Sequence, residues 1–125
     1  AVRDAGANAA LNRVPAGRVR FVAARVEDAL GRLESGRWDA VVLDPPRQGC
    51  GGEVIDAVFR RIAPRRVTYV SCNPEALAGE MPAIERAGYG ISSLRAVDMF
   101  PHTEHVEAIV QFTPSAGVRT SREAS

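Results

Sequence analysis

Apolar residues along this chain follow two different patterns, short unbroken runs and longer stretches with helical spacing. The run AVVL at 40–43 and the segment RVTYVSC at 66–72 indicate strands, and an unbroken apolar run is typical of a strand buried in a parallel sheet. In EVIDAVFRRI at 53–62 the apolar residues recur at the spacing of a helix, and the helix predicted after residue 72 ends at Gly88. The complete prediction has helices over 1–12, 26–35, 53–62 and 74–88, and strands over 19–24, 38–44, 66–72, 91–98 and 105–113.

This alternation of strands and helices predicts an α/β fold, a sheet of parallel strands with helices on both faces. The last two strands have no room for a helix between them, so we expect them to form an antiparallel pair at the end of the fold. Ligands in such sheets bind beyond the carboxyl ends of the strands. Asp44 and Cys72 both lie at strand ends of this kind, so we expect a carboxylate and a thiol at one edge of the sheet.

Length and composition fit one domain of an ordinary globular protein, with 125 residues of which 46% are hydrophobic and 25% are charged. We expect a domain over 1–113 and a flexible polar tail over 114–125. The longest aliphatic run is too short for a membrane span, and the net charge of +1 gives no argument for nucleic acid. Two cysteines without a leader sequence predict a cytoplasmic location, and a first residue other than Met suggests a fragment or a processed chain.

Three residues with reactive or charged side chains are candidates for chemistry, and each has two interpretations when taken alone. Asp44 stands before two prolines and either binds a ligand or caps the following turn. Cys72 is either a buried structural cysteine or a nucleophile near the start of the next helix. Glu107 begins an otherwise apolar strand, where a carboxylate is costly unless it is paired or used. The nearby His102 and His105 lie in a turn without a further cluster of ligands, so we expect no metal site.

Three stretches together resemble the signature motifs of a known family. VVLDPPRQG at 41–49, YVSCNPEALAGEM at 69–81 and DMFPHTEHVE at 98–107 are similar, in this order, to motifs of the RNA 5-methyluridine methyltransferases. The resemblance, which covers residues 1–113, implies a Rossmann-like class I methyltransferase sheet, mostly parallel, with a C-terminal antiparallel strand pair. It also implies the spatial strand order 3-2-1-4-5-7-6, in which this chain would lack the first two strands.

By this resemblance the chain would take part in the methylation of carbon 5 of uridine in transfer or ribosomal RNA, with S-adenosylmethionine as the methyl donor. Cys72 would be the nucleophile that adds to carbon 6 of the uracil, and Glu107 the general base that removes the proton from carbon 5. Asp44 matches the family acid that contacts the cofactor. RNA is the implied partner, and the uracil would be turned out of its stack to reach the thiol.

The resemblance also implies that some family segments are missing, among them the glycine-rich loop that holds the cofactor. We therefore expect the isolated chain to be inactive, and Arg25 replaces a small polar or acidic residue that the family has near the adenine. Without strands 1 and 2, residues 19–24 would face strand 38–44 across two empty places, a gap of about 10 Å. Open edges of this kind predict a poorly stable or self-associated chain.

Three other classes of protein compete with this interpretation. Adenine amino-methyltransferases place an aromatic residue after Asp-Pro-Pro, where this chain has Arg47. RNA cytosine-5 methyltransferases have a cysteine directly after the corresponding proline, whereas Cys50 lies four residues beyond Pro46. A non-catalytic RNA-binding or assembly module would need neither Cys72 nor Glu107, and it stays open as the alternative.

Overall fold

The structure, a computed structural model, describes residues 1–99, 102 and 106–116. Its helices are α1 (Val2–Leu11), α2 (Val26–Gly31), α3 (Gly52–Asp56), which continues into a π-helical segment (Ala57–Ile62), and α4 (Pro74–Arg86). Its strands are β1 (Ala40–Leu43), β2 (Arg66–Ser71), β3 (Tyr89–Val97) and β4 (Glu107–Pro114). The tail predicted to be flexible lies, from residue 117 onward, outside the described residues.

The described strands form one sheet in the order β1-β2-β4-β3. β1 and β2 are parallel, and β4 is antiparallel to both β2 and β3. This order agrees with the last four positions of the implied sheet, 4-5-7-6, and the C-terminal antiparallel pair is confirmed. Among the described strands, β1, β2 and β3 run in the same direction and β4 runs opposite to them, so the sheet is mixed, as expected for parallel strands with a C-terminal antiparallel pair. The short connection between β3 and β4 allows an antiparallel neighbour, whereas a parallel one would need a long crossover.

Residues 19–24, which the sequence predicts as a strand, are not part of one. Val19, Phe21 and Val22 are each more than 40% exposed. An extended segment cannot satisfy its own backbone, so an apolar run becomes a strand only beside a partner, and the described residues give this segment none. The predicted gap between two strands is therefore wrong, and β1 is itself an edge of the described sheet, with Val42 70% exposed. The two strands that the family sheet would place beyond β1 stay a prediction.

One face of the sheet, called the covered face below, holds the core. Alternate residues of β2 and β4 are buried on this face, namely Val67, Tyr69, Ser71, Ala108, Val110 and Phe112. The ring of Phe59, from the π-helical segment, meets the rings of Tyr89 and Phe112 edge-on, with centroid distances of 5.0 and 5.6 Å. Edge-on contacts suit the charge distribution of aromatic rings. The residues that alternate with the buried ones lie on the opposite face, called the second face, and are half-exposed.

The helices that contact one another form a single layer on the covered face, made of α2, α3, the π-helical segment and α4. The guanidinium of Arg61 donates to the carbonyl oxygens of Leu33, at 2.8 Å, and Leu30. These carbonyls lie at the end of α2, where helical carbonyls have no partner within the helix. Helix α1 buries none of its residues. In the described part of the chain, the helix layer expected on both faces is thus found on one.

Helix α4, which follows the predicted nucleophile, shows how the sequence fixes the elements near the site. Pro74 is its first residue, a position where the missing backbone N–H costs no hydrogen bond. Leu77 and Ile84, two helical turns apart, are buried on the same side. The helix ends at Arg86, and Gly88 follows with a φ of 91°, in the left-handed conformation that ends helices, as the sequence predicts.

Candidate active site

The three residues singled out from the sequence lie at one edge of the sheet. Asp44 directly follows β1, Cys72 directly follows β2, and Glu107 is the first residue of β4. The parallel pairing of β1 with β2 puts their carboxyl ends together, and the antiparallel pairing of β4 with β2 brings the start of β4 to the same edge. Asp44 and Cys72 are exposed, and Glu107 is half-buried. All three positions are open to a ligand at this edge.

The strand register brings Cys72 and Glu107 to the same end of neighbouring strands. The last pair of the β2–β4 ladder is Ser71 with Ala108, so Cys72 directly follows the last paired residue of β2 and Glu107 directly precedes its partner in β4. Because Ala108 is buried on the covered face, the alternation along β4 assigns Glu107 to the second face. Cys72 lies beyond the end of β2, and its side chain is exposed.

Asp44 lies at the same edge of the sheet. The β1–β2 ladder ends with Leu43 opposite Tyr69, and both side chains are buried on the covered face. Asp44 directly follows Leu43, beyond the end of β1, and it is exposed. The fold thus brings a carboxylate, a thiol and a second carboxylate to one edge of the sheet.

A short turn presents Cys72 to solvent. The hydroxyl of the buried Ser71 donates to the carbonyl oxygen of Asn73 at 2.8 Å and accepts from its backbone N–H at 3.2 Å. Both bonds span the cysteine, so the residues before and after it are fixed while its own side chain is left exposed. This arrangement contradicts the interpretation of Cys72 as a buried structural cysteine.

The loop over 45–51, called the proline–glycine loop below, is held from the segment that follows Cys72. The side-chain amide of Asn73 donates to the carbonyl oxygen of Arg47 at 3.0 Å, although its position before α4 predicts a helix cap. The carboxylate of Glu80, on α4, accepts from the backbone N–H of Gly51 at 2.8 Å and from the hydroxyl of Tyr69 at 2.6 Å. Sequence reasoning missed these contacts, and the available signal was only the pair of glycines around Cys50.

The two cysteines have different surroundings. Cys50 is half-buried, and burial raises the pKa of its thiol to about 11. A hydrogen bond with Tyr69 acts in the opposite direction, and the negative charge of Glu80 adds to the rise in the pKa. Burial and the hydrogen bond to Glu80 also raise the pKa of Tyr69 well above its ordinary value. At neutral pH the thiol of Cys50 is therefore protonated and sheltered, whereas the thiol of Cys72 is exposed.

A cavity of about 510 Å³ adjoins the end of β1. Its walls combine apolar side chains with the carboxylates of Asp44 and Glu27, and they include most of the proline–glycine loop. Its volume lies within the range of small-molecule sites, which are mostly apolar with a few polar groups. Asp44 is thus a residue that could hold the polar part of a cofactor at this edge of the sheet.

The described residues contain no group of three or more His, Cys, Asp or Glu that could hold a metal ion. Glu104 and His105, which belong to the histidine-containing turn, lie outside the described residues. Of the helices in the part of the chain that the structure describes, none has the length and apolar character needed to cross a membrane.

An exposed thiol and two carboxylates at one edge of a mixed α/β sheet are groups suited to nucleophilic catalysis with a proton acceptor. The model of one protein family, tRNA (uracil-5-)-methyltransferase, matches residues 18–114. The chain therefore belongs to this family of RNA methyltransferases, and the resemblance inferred from the three motifs is confirmed.

Curated relatives agree with this assignment. An uncharacterized RNA methyltransferase of Caldanaerobacter subterraneus is 43% identical over 111 residues, which is 87% of this chain and 24% of the relative. One from Bacillus cereus is 40% identical over 88% of the chain and 24% of its own length. One from Gloeobacter violaceus is 42% identical over 86% of the chain and 22% of its own length. The chain thus spans about a quarter of the length of the curated relatives it matches.

Proposed function

We propose that this chain carries the nucleophile and the general base of an enzyme that methylates carbon 5 of uridine in transfer or ribosomal RNA. The observation that supports the proposal is the register of β2 and β4, because the ladder ends at Ser71 and Ala108 and the chain neighbours of this pair at that edge are Cys72 and Glu107. Membership of the tRNA (uracil-5-)-methyltransferase family supports the uracil as the base and carbon 5 as the position.

The chemistry explains why a thiol and a carboxylate are needed together. Carbon 5 of uracil is a weak nucleophile, and addition of the Cys72 thiolate to carbon 6 converts the ring into an enolate whose carbon 5 can accept a methyl group. Glu107 then takes the proton from carbon 5, the bond between sulfur and carbon 6 breaks, and the thiolate is released with the double bond restored. The uracil must leave its stack for carbon 6 to reach the thiol, which makes a flipped or single-stranded nucleotide the substrate.

S-adenosylmethionine, when bound, would supply an electrophilic methyl group to carbon 5, with cleavage of its S–CH3 bond and departure of the neutral thioether S-adenosylhomocysteine. The cavity beside β1 fits such a molecule in size and composition, since it combines apolar walls with the carboxylate of Asp44. We assign to Asp44 the role of contacting the cofactor. The free state of both cysteines is compatible with a reducing compartment, and we place the reaction in the cytoplasm.

The proposal is tested in a chimera that joins this chain to the remaining segments of a longer relative. A chimera in which this chain replaces the matching 111 residues of the Caldanaerobacter protein is incubated with S-adenosylmethionine and unmodified transfer and ribosomal RNA transcripts. Nucleosides from the digested RNA are then analysed by mass spectrometry. We expect 5-methyluridine from the chimera, none from its Cys72→Ser variant, and near-normal amounts from the control Glu85→Gln, an exposed residue of α4 that does not line the cavity. Undiminished 5-methyluridine from Cys72→Ser, or a different methylated nucleoside, would refute the proposal.

Two trapping experiments separate the roles of the thiol and the base. RNA with 5-fluorouridine carries fluorine where the proton would leave, so the adduct with Cys72 should persist through denaturation and be absent from Cys72→Ser. In Glu107→Gln the elimination is blocked, so an adduct should accumulate even with ordinary RNA. Calorimetric titration of the 125-residue chain with S-adenosylmethionine shows whether the chain alone binds the donor; we expect no heat, because the family's glycine-rich loop is not among its motifs.

A further inference from the structure

The carboxylate of Glu80 joins three parts of the site. One of its oxygens, Oε2, accepts a hydrogen bond of 2.6 Å from the hydroxyl of Tyr69 on β2. The other, Oε1, accepts one of 2.8 Å from the backbone N–H of Gly51, at the end of the proline–glycine loop. Glu80 itself lies on α4, the helix that starts directly after the turn at Cys72. One side chain thus connects β2, α4 and the loop that follows Asp44.

The loop is shaped to receive this carboxylate. Gly49 and Gly51 have φ values of 93° and 84°, which residues with a side chain rarely adopt. A Cβ atom at Gly49 would lie 2.6 Å from Oε1 of Glu80, so a residue with a side chain there would displace the carboxylate. Glycine at this position lets the backbone of the loop approach the carboxylate as it stands.

A second anchor fixes the other half of the loop. The side-chain amide of Asn73 donates to the carbonyl oxygen of Arg47, and the N–H of Gly49 closes a turn to the carbonyl oxygen of Pro46 at 2.9 Å. Both anchors, Asn73 and Glu80, belong to the segment directly after Cys72. These contacts therefore fix the position of the loop relative to the segment that carries the thiol.

We propose that Glu80 is a positioning residue, whose carboxylate holds the proline–glycine loop, and with it the cavity wall next to Asp44, at a fixed place relative to Cys72. The consequence for catalysis rests on the proposed function, because it concerns the methyl donor that the cavity would hold. The contact itself does not depend on that function, since it is made between residues of this chain. Glu80 touches neither the predicted nucleophile nor the predicted base.

The contact is tested in the 125-residue chain by hydrogen exchange of single amides, measured by NMR. Removing the acceptor in Glu80→Ala should speed exchange of the Gly51 amide by about tenfold or more, because a hydrogen bond to a charged group is lost. Glu80→Gln keeps the length of the side chain and one carbonyl acceptor, so it should stay within about threefold of the parent. Glu80→Asp keeps the charge but is one methylene shorter, so it should resemble Glu80→Ala. The matched control is Glu85→Gln on the same helix, an exposed residue, and it should change nothing.

The consequence for catalysis is tested in the chimera described above. Loosening the cavity wall should raise the KM for S-adenosylmethionine about tenfold in Glu80→Ala and Glu80→Asp. The KM for RNA should change less than twofold in these variants. In Glu80→Gln the KM for S-adenosylmethionine should stay close to that of the parent. A general loss of folding would instead lower kcat and leave the two KM values unchanged. If the parent chimera makes no 5-methyluridine, the proposed function fails while the exchange result still decides on the contact. If exchange at Gly51 is the same in Glu80→Ala as in the parent, or Glu80→Asp behaves like the parent, the positioning role is refuted.

Discussion

Alkylation should distinguish the two cysteines by rate, and the slow one should be Cys50. Only the thiolate reacts with iodoacetamide, so the rate depends on the pKa of the thiol and on its access to the reagent. Burial raises the pKa of Cys50 to about 11 from an ordinary value of 9.0. The perturbation is a rise in pH, applied to a chain in which one of the two cysteines has been replaced.

The size of the effect follows from that shift. At pH 8 a thiol with a pKa of about 11 has about a hundredfold less thiolate than one with the ordinary value of 9.0. A more basic thiolate is also more nucleophilic, and a Brønsted slope of about 0.45 returns roughly eightfold over two pKa units. The net rate for Cys50 should therefore be at least about tenfold below that of a cysteine in a short peptide, and its half-buried position lowers it further.

The assay follows carboxamidomethylation of the Cys72→Ser variant by peptide mass spectrometry between pH 7 and pH 10, with the Cys50→Ser variant and a short cysteine peptide run beside it. The rate at Cys50 should rise about tenfold for each pH unit over this whole range, because its pKa lies above it. A rate at Cys50 equal to that of the peptide, or one that levels off near pH 9, would refute the reasoning from burial and from the charge of Glu80.

Further predictions concern the loop, the core and the edge strand. Gly49→Ala should lower the free energy of unfolding, measured in urea, by about 1–3 kcal/mol, because φ is 93° and the new Cβ meets Glu80. Gly79→Ala, in α4 with open space around it, should raise the free energy of unfolding by about 0.5–1 kcal/mol. Equal effects of the two substitutions would contradict this reasoning. Burial raises the pKa of Tyr89 to about 12 from 10.0, so at high pH the folded chain keeps a proton that the unfolded chain loses. The free energy of unfolding should therefore fall between pH 10 and 12. An identical fall in Tyr89→Phe would show that Tyr89 is not its cause. Val42→Lys should reduce the self-association of the chain measured by sedimentation velocity, because Val42 is 70% exposed on the edge strand β1 and a charge there disfavours pairing with a second chain. An unchanged distribution of sedimentation coefficients would count against association through β1.

The sequence predicts those elements best whose partners are close along the chain. The apolar run at 40–43 and the segment 66–72 form β1 and most of β2, which pair in parallel because a helical crossover joins them. Residues 19–24 have an equally strand-like pattern and form no strand, since a strand also requires a neighbour to satisfy its backbone. Local pattern therefore predicts the tendency of a segment to be extended, and tertiary context decides whether the tendency is realised.

The site divides in the same way. The positions of Asp44 and Cys72 at one edge follow from connectivity alone, because parallel strands end together. The contacts of Glu80 could not be predicted, since they join residues 29 and 11 positions apart that only the tertiary fold brings together. The approach of Cys72 and Glu107 at one edge likewise depends on the register of β2 and β4. The pattern of apolar residues determines which side chains face the core, but it does not fix that register.

These contacts also determine which part of the proposed chemistry this segment can organise by itself. The pairing of β2 with β4 brings the proposed nucleophile and the proposed base to one edge of the sheet, and Glu80 and Asn73 hold the loop beside Asp44. These three relationships all lie within the described residues. The cavity, by contrast, borders the exposed edge strand β1. A chain that spans about a quarter of its relatives' length can thus set the thiol, the base and the loop in relation to one another. We therefore expect donor affinity, rather than the reactivity of Cys72, to be the property that changes most when the remaining length of a relative is supplied.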